Sequence, residues 1–155
     1  MFRQTRNTLV CLFMALVITG LFGSLVLAAE NTSCYDLCIA HIDYRTNGDE
    51  VVVLLNKGRE PIDLTGYTIR SEVGGQQFTF GVSDVSELNK HDPIVQPLDI
   101  VRVHVKDCLC IPDPRDFIWI NKQGECYKKE VWNDKGDAAR LYSANGDLLA
   151  EYSYP

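Results

Sequence analysis

From about residue 38 onward, apolar side chains recur at every second position, in short runs broken by Gly, Asn, Asp and Pro. That is the period of a β-strand with one face in a core. The clearest run is Asp-Ile-Val-Arg-Val-His-Val-Lys at 99–106, where Val101, Val103 and Val105 point inward and Arg102, His104 and Lys106 outward. Near the C-terminus, Ala139 and Leu141 share one face, opposite Arg140 and Tyr142. Leu148, Ala150, Tyr152 and Tyr154 then share a face of a returning strand. Asn145-Gly146 between these runs tolerates positive φ best, which predicts a type I′ hairpin.

The remaining segments follow the same logic. Cys38, Ala40, Ile42 and Tyr44 define one face of a first strand. Val-Val-Val-Leu-Leu at 51–55 is β-branched and aperiodic, predicting a strand buried on both faces. Short strands are expected at 66–70, at 77–80 with Phe78 and Phe80 on one side, at 117–121, and at 126–132 leading back to the hairpin. Residues 81–97 are polar and interrupted by Pro93 and Pro97, as in a binding loop or an insertion. The total is about eight or nine short strands with no helix after residue 30, an all-β sandwich or barrel. Its expected core anchors are Trp132, Tyr67, Phe78, Phe80, Val101 and Val103.

The first 29 residues break the pattern. Arg3 and Arg6 precede an uncharged, mostly apolar run over 9–29 that ends Leu27-Ala28-Ala29. Such a segment directs export, either as a cleaved signal peptide or as a retained helical membrane anchor. In both cases the basic end stays in the cytoplasm and the domain goes outside. The chain then divides into the export segment, a tether over 30–37 and one domain over 38–155. The protein is expected to be secreted or held in the cell envelope, touching membrane only through residues 9–29 if these are uncleaved.

Charge and cysteines narrow the partners. The whole chain carries 15 basic and 21 acidic residues, a net charge of −6. Loss of residues 1–29 removes only Arg3 and Arg6, leaving 13 against 21, or −8. That balance argues against a nucleic-acid partner, because phosphate-backbone affinity comes from clustered Lys and Arg. Cys34, Cys38, Cys108, Cys110 and Cys126 follow the export segment, and in an oxidising compartment they are disulfide candidates with one left over. Cys34 and Cys38, if both lie in one extended strand, are about 13 Å apart and out of reach of each other. The expected bridges therefore run from that pair to the 108–110 loop, and from that loop to Cys126.

Other chemistry is weakly represented. The cysteines with His104 lack the paired spacing of a zinc site, so no metal is assigned. Asp134, Asp137 and Asp147, near Asn133 and Asn145, lack the regular alternation of a calcium loop, and turn formation accounts for them. His41 and His104 lie on strand faces that look solvated, and His91 lies in the long loop. No serine or cysteine has a nucleophile context beside them, so the chain is not read as an enzyme and no cofactor is expected.

Several pieces of the chain form an ordered set. They are Val-Val-Val-Leu-Leu-Asn-Lys-Gly at 51–58, Pro-Ile-Asp-Leu-Thr-Gly-Tyr-Thr-Ile at 61–69 and Phe-Thr-Phe at 78–80. Leu98 with Val101 and Val103 follows, then Val-Trp-Asn-Asp-Lys-Gly-Asp at 131–137, Ala-Ala-Arg-Leu-Tyr at 138–142, Asn145-Gly146 and Tyr152. In this order the pieces resemble the lamin tail domain, and the chain departs from that family at Tyr67, where Trp is common, and in its longer 81–97 loop. The resemblance implies an immunoglobulin-like β-sandwich without catalytic residues, acting as a binding or attachment module. Its target is then an unidentified protein or surface polymer. A structural envelope component crosslinked through disulfides is the alternative, and a small secreted metal-binding protein or hydrolase the weakest reading.

Overall fold

The computed structural model describes residues 33–45, 49–81, 92–105, 113–121 and 125–155. These described residues form eleven strands and no helix. In chain order they are β1 (Ser33–Cys34), β2 (Leu37–Asp43), β3 (Glu50–Asn56), β4 (Ile62–Asp63), β5 (Thr68–Ser71) and β6 (Gln77–Thr79). They continue with β7 (Ile94–Val95), β8 (Ile100–Val105), β9 (Asp116–Ile118), β10 (Asp137–Tyr142) and β11 (Leu148–Tyr154). A five-stranded sheet has the order β1-β11-β10-β5-β6, a four-stranded sheet the order β2-β3-β8-β9, and β4 pairs with β7 alone. All pairs are antiparallel except β8 with β9.

The two larger sheets close over one core because their alternating positions point at each other. The register sets Val52 beside Val103 and Leu54 beside Val101 in one sheet, and Leu141 beside Ile69 in the other. All of these are buried. Burying each such side chain contributes roughly 1.5–3 kcal/mol. Aromatic rings bridge the layers: Phe78 meets Phe117 edge-on at 6.5 Å between centroids, and Trp119 meets Trp132 edge-on at 6.0 Å.

Four local readings of the sequence are corrected. Residues 51–55 are not buried on both faces: Val52 and Leu54 are buried while Val51, Val53 and Leu55 are half-buried, because the outer face of the sheet is only partly covered. The final hairpin is not type I′. Ser143 O accepts from Gly146 N at 2.9 Å, and only Gly146 of the pair has positive φ, at 89°. A register shift at Leu141/Tyr142 absorbs the extra residue, as in a three-residue loop with a bulge. Residues 126–132 form no strand; Cys126 makes an isolated bridge to Ile120. The 81–97 segment is not wholly a loop either, since Val95 in β7 is buried and Leu64 N donates to Pro93 O at 3.0 Å.

One end of the sandwich carries the β1–β2 turn, the end of β3, the β7–β8 turn and the β10–β11 hairpin. The opposite end carries the β5–β6 turn and the approach to β10, where Trp132 sits. There Gly136, at φ 113°, turns the chain so closely past Pro155 that a Cβ would lie 3.0 Å from its carbonyl carbon.

Candidate functional site

The β1–β2 turn is built by a disulfide. Cys34 and Cys38 are bonded, with their Cα atoms 5.1 Å apart. The expectation that they could not pair assumed one continuous strand. Instead Cys34 ends β1 in the five-stranded sheet, opposite Ala150, and the chain turns at Tyr35 and Asp36 before entering β2 in the other sheet. Ser33 and Cys34, assigned to the tether, are thus part of the fold. Cys126 is also disulfide-bonded, and its partner lies outside the described residues, as do Cys108 and Cys110.

Beside this turn, Asn56 ties three segments together. It is fully buried, in phase with Val52 and Leu54. Its Nδ2 donates to Glu60 O at 2.8 Å and Val95 O at 3.0 Å, while Oδ1 accepts from Gly58 N at 2.9 Å. Its backbone N–H donates to Asp99 O at 3.1 Å, and its carbonyl accepts from Leu98 N at 2.8 Å. Next in sequence, Lys57 N donates to Asp36 O at 2.6 Å. A buried amide with all of these partners satisfied holds its neighbours in one arrangement.

The turns so fixed present apolar side chains to solvent. Tyr35 is 86% exposed and Leu98 80% exposed; Ile94 and Leu148 are also exposed. Asp99 N donates to Gln96 O at 3.1 Å, closing a turn with Pro97 second and Leu98 third. Leu98 has φ 64°, the conformation a type II turn requires there and usually fills with Gly or Asn. An open depression of about 360 Å³, lined by Asp36, Lys57, Gly58, Arg59, Glu60 and Ile62, lies beside Tyr35 in the chain.

A row of ion pairs runs along β8 and β9. Arg102 pairs with Asp116 at 2.9 Å, and His104 lies between Asp49, bonded to its Nδ1, and Asp116, 3.7 Å from its Nε2. Arg115 pairs with Asp113 at 2.7 Å and Asp99 at 3.2 Å. The Arg115 guanidinium and backbone N–H hold the Asp113 carboxyl well below the usual carboxylate range, and Asp113 raises Arg115 in return. Arg115 is exposed and Asp113 partly so, and such pairs near the surface add little stability. The row lies along the parallel ladder of β8 with β9, where Arg102 stands opposite Asp116. His104, expected on a solvated face, is half-buried in it, whereas His41 is exposed.

The other predicted residues fall in place as follows. Trp132, Phe78, Phe80, Val101 and Val103 are buried, and Tyr67 is partly buried against them. Asp137 is buried and accepts from Ser71 Oγ at 2.8 Å and Val73 N at 3.0 Å, so it organises a turn. Asp134 and Asp147 are exposed. Among the described residues no three His, Cys, Asp or Glu side chains converge as a metal site would require. His91 and residues 82–91 as a whole lie outside the described residues. Sequence reasoning missed Glu50, Asn56, Trp119 and Leu98. The first three were detectable by phase, since Glu50 and Asn56 extend the inward alternation of Val52 and Leu54, and Trp119 that of Phe117.

The model of the Lamin Tail Domain family matches residues 30–155, and the chain belongs to that family. No curated protein matches the sequence. The family is a noncatalytic, immunoglobulin-like domain, and the all-β sandwich described above agrees with it.

Proposed function

We propose that this protein is an exported, noncatalytic attachment module that holds a protein or surface polymer at the cell surface or in the envelope. The observation that carries this reading is the family match over residues 30–155, on a sandwich whose buried polar side chains serve its own backbone. Asn56 and Asp137 bind the turns around them, and Glu50 binds the segment before β10. Buried groups spent in this way position loops and leave little for acid–base chemistry. The export segment over 9–29 supplies the route outside, and the disulfides suit an oxidising compartment.

The test is a crosslinking pulldown from envelope fractions with residues 30–155 as bait. A specific protein or polymer recovered above an unrelated β-sandwich control is the expected result. Recovery no better than the control sinks the attachment reading. Removing the whole 81–97 segment is unsuitable for mapping contact, because β7 and the buried Val95 would go with it.

A further inference from the structure

Among the described residues, five large apolar side chains are conspicuously exposed: Tyr35, Val73, Ile94, Leu98 and Leu148. Four of them come from separate turns and strands yet share one end of the sandwich. The backbone links show this. Asp36, next to Tyr35, accepts from Lys57; Asn56 accepts from Leu98; the Asn56 amide reaches Val95, next to Ile94. Cys34 opposite Ala150 places Leu148 beyond it toward the same end. Val73 sits at the opposite end, where its N–H donates to Asp137.

Leu98 shows that this is more than incidental exposure. It occupies the third position of its turn at φ 64°, where Gly or Asn costs least. The fold draws no burial from it, because the side chain is 80% exposed. Strain without a packing return points to a use outside the fold.

The chain before the domain identifies the occupant. The apolar run ends at Ala29, and β1 begins at Ser33. Four residues of chain span at most about 14 Å, so an anchored run holds β1 that close to the bilayer surface. Among the residues whose exposure is described, Tyr35 is the first exposed side chain, at the first turn of the domain. Tyr belongs to the residue types that settle at membrane–water interfaces. The neighbouring Lys57 and Arg59 are exposed, with long side chains suited to headgroups.

We propose that the Tyr35–Leu98–Leu148 end is a membrane-contact tip that rests in the interfacial layer of the bilayer carrying the N-terminal segment. This rests on the exported reading above, in its anchored form. The tip sets the orientation of the domain, directing the Trp132 end away from the membrane.

Tryptophan reporters test it in the full chain, reconstituted in phosphatidylcholine vesicles with and without brominated acyl chains. Trp119 and Trp132 are buried and give a constant background. Leu98→Trp and Tyr35→Trp are expected to blue-shift and to lose much of their added emission to the bromines. Val73→Trp, at the far end, is expected to remain at its aqueous wavelength and unquenched. Tyr35 has no positive φ, so its variant keeps the test open if Leu98→Trp folds poorly. Tip reporters no more quenched than Val73→Trp, on chain that stays with the vesicles, overturn the tip and leave the attachment reading standing. Chain that leaves the vesicles overturns the anchored reading and the tip together. Tip reporters that stay aqueous on vesicles but shift when envelope protein and polymer are added assign this end to a macromolecular partner, and also overturn the proposal.

Discussion

Glu50 and Trp132 are joined across the sandwich: the buried Glu50 Oε2 accepts the backbone N–H of Trp132 at 3.3 Å and that of Val131 at 2.9 Å. Glu50 opens β3 in the four-stranded sheet, whereas Trp132 leads into β10 in the other. The segment carrying Trp132 has no ladder of its own to satisfy those two donors. The carboxylate therefore substitutes for a strand neighbour.

Glu50→Ala is accordingly expected to lower stability by about 2–4 kcal/mol, because two buried N–H groups lose their acceptor. Glu50→Gln keeps an oxygen in place and is expected to cost less than half as much. Urea unfolding of the three proteins checks this. Equal stability of Glu50→Ala and the parent would show that water or a shifted backbone replaces the carboxylate.

Much of the architecture was legible because strand period two is a local signal. Val101, Val103 and Val105, and the faces of β10 and most of β11, needed only alternation. Leu148 departs from its face because the sandwich no longer covers it at the hairpin tip, where it is 53% exposed. The Cys34–Cys38 bond was hidden by a turn made of Tyr35 and Asp36, with neither Gly nor Pro to announce it. The distance argument against the bond held only for one extended strand containing both cysteines, whereas Cys34 and Cys38 belong to different sheets. Leu98 was illegible for a related reason: a turn position that favours Gly is filled by Leu, and only the backbone angle reveals it.

The Cys34–Cys38 bond closes a loop of only five residues, so its effect through the unfolded chain is modest, about 2 kcal/mol by the loop-entropy relation. Its local effect is larger, since β1 has two residues and pairs only with β11. The Cys34→Ser/Cys38→Ser variant is expected to fold with a slightly lower melting temperature and to lose amide-exchange protection at the β1–β11 edge first. Protection unchanged at that edge would mean that the ladder alone holds β1.

Tyr154 links the core to alkaline pH. Burial, then the Asp137 carboxylate, pushes its phenol well above the ordinary tyrosine value. Its hydroxyl has no hydrogen-bond partner among the described residues, while its ring stacks on Tyr44 with centroids 3.7 Å apart. Above pH about 10 the unfolded chain releases this proton and the folded chain keeps it, so stability falls as pH rises. Tyr154→Phe retains the stack and removes both the uncompensated hydroxyl and the titration. It is expected to gain about 1 kcal/mol at neutral pH and to decline less than the parent between pH 9 and pH 11. Parallel pH profiles of the two proteins would show that another group governs alkaline unfolding.

Leu98 separates stability from use. Leu98→Gly relieves a left-handed conformation that costs a non-glycine residue about 1–2 kcal/mol, partly offset by the greater freedom of glycine in the unfolded chain. Because the leucine is 80% exposed, almost no burial is lost. A net gain of about 0.5–1 kcal/mol is expected, read as a higher urea midpoint with an unchanged slope. Leu98→Asn should fall between the two, since asparagine tolerates this region better than leucine. A lower midpoint for Leu98→Gly would place the side chain in the core's service after all, and would remove the reason to seek a use for it outside the fold.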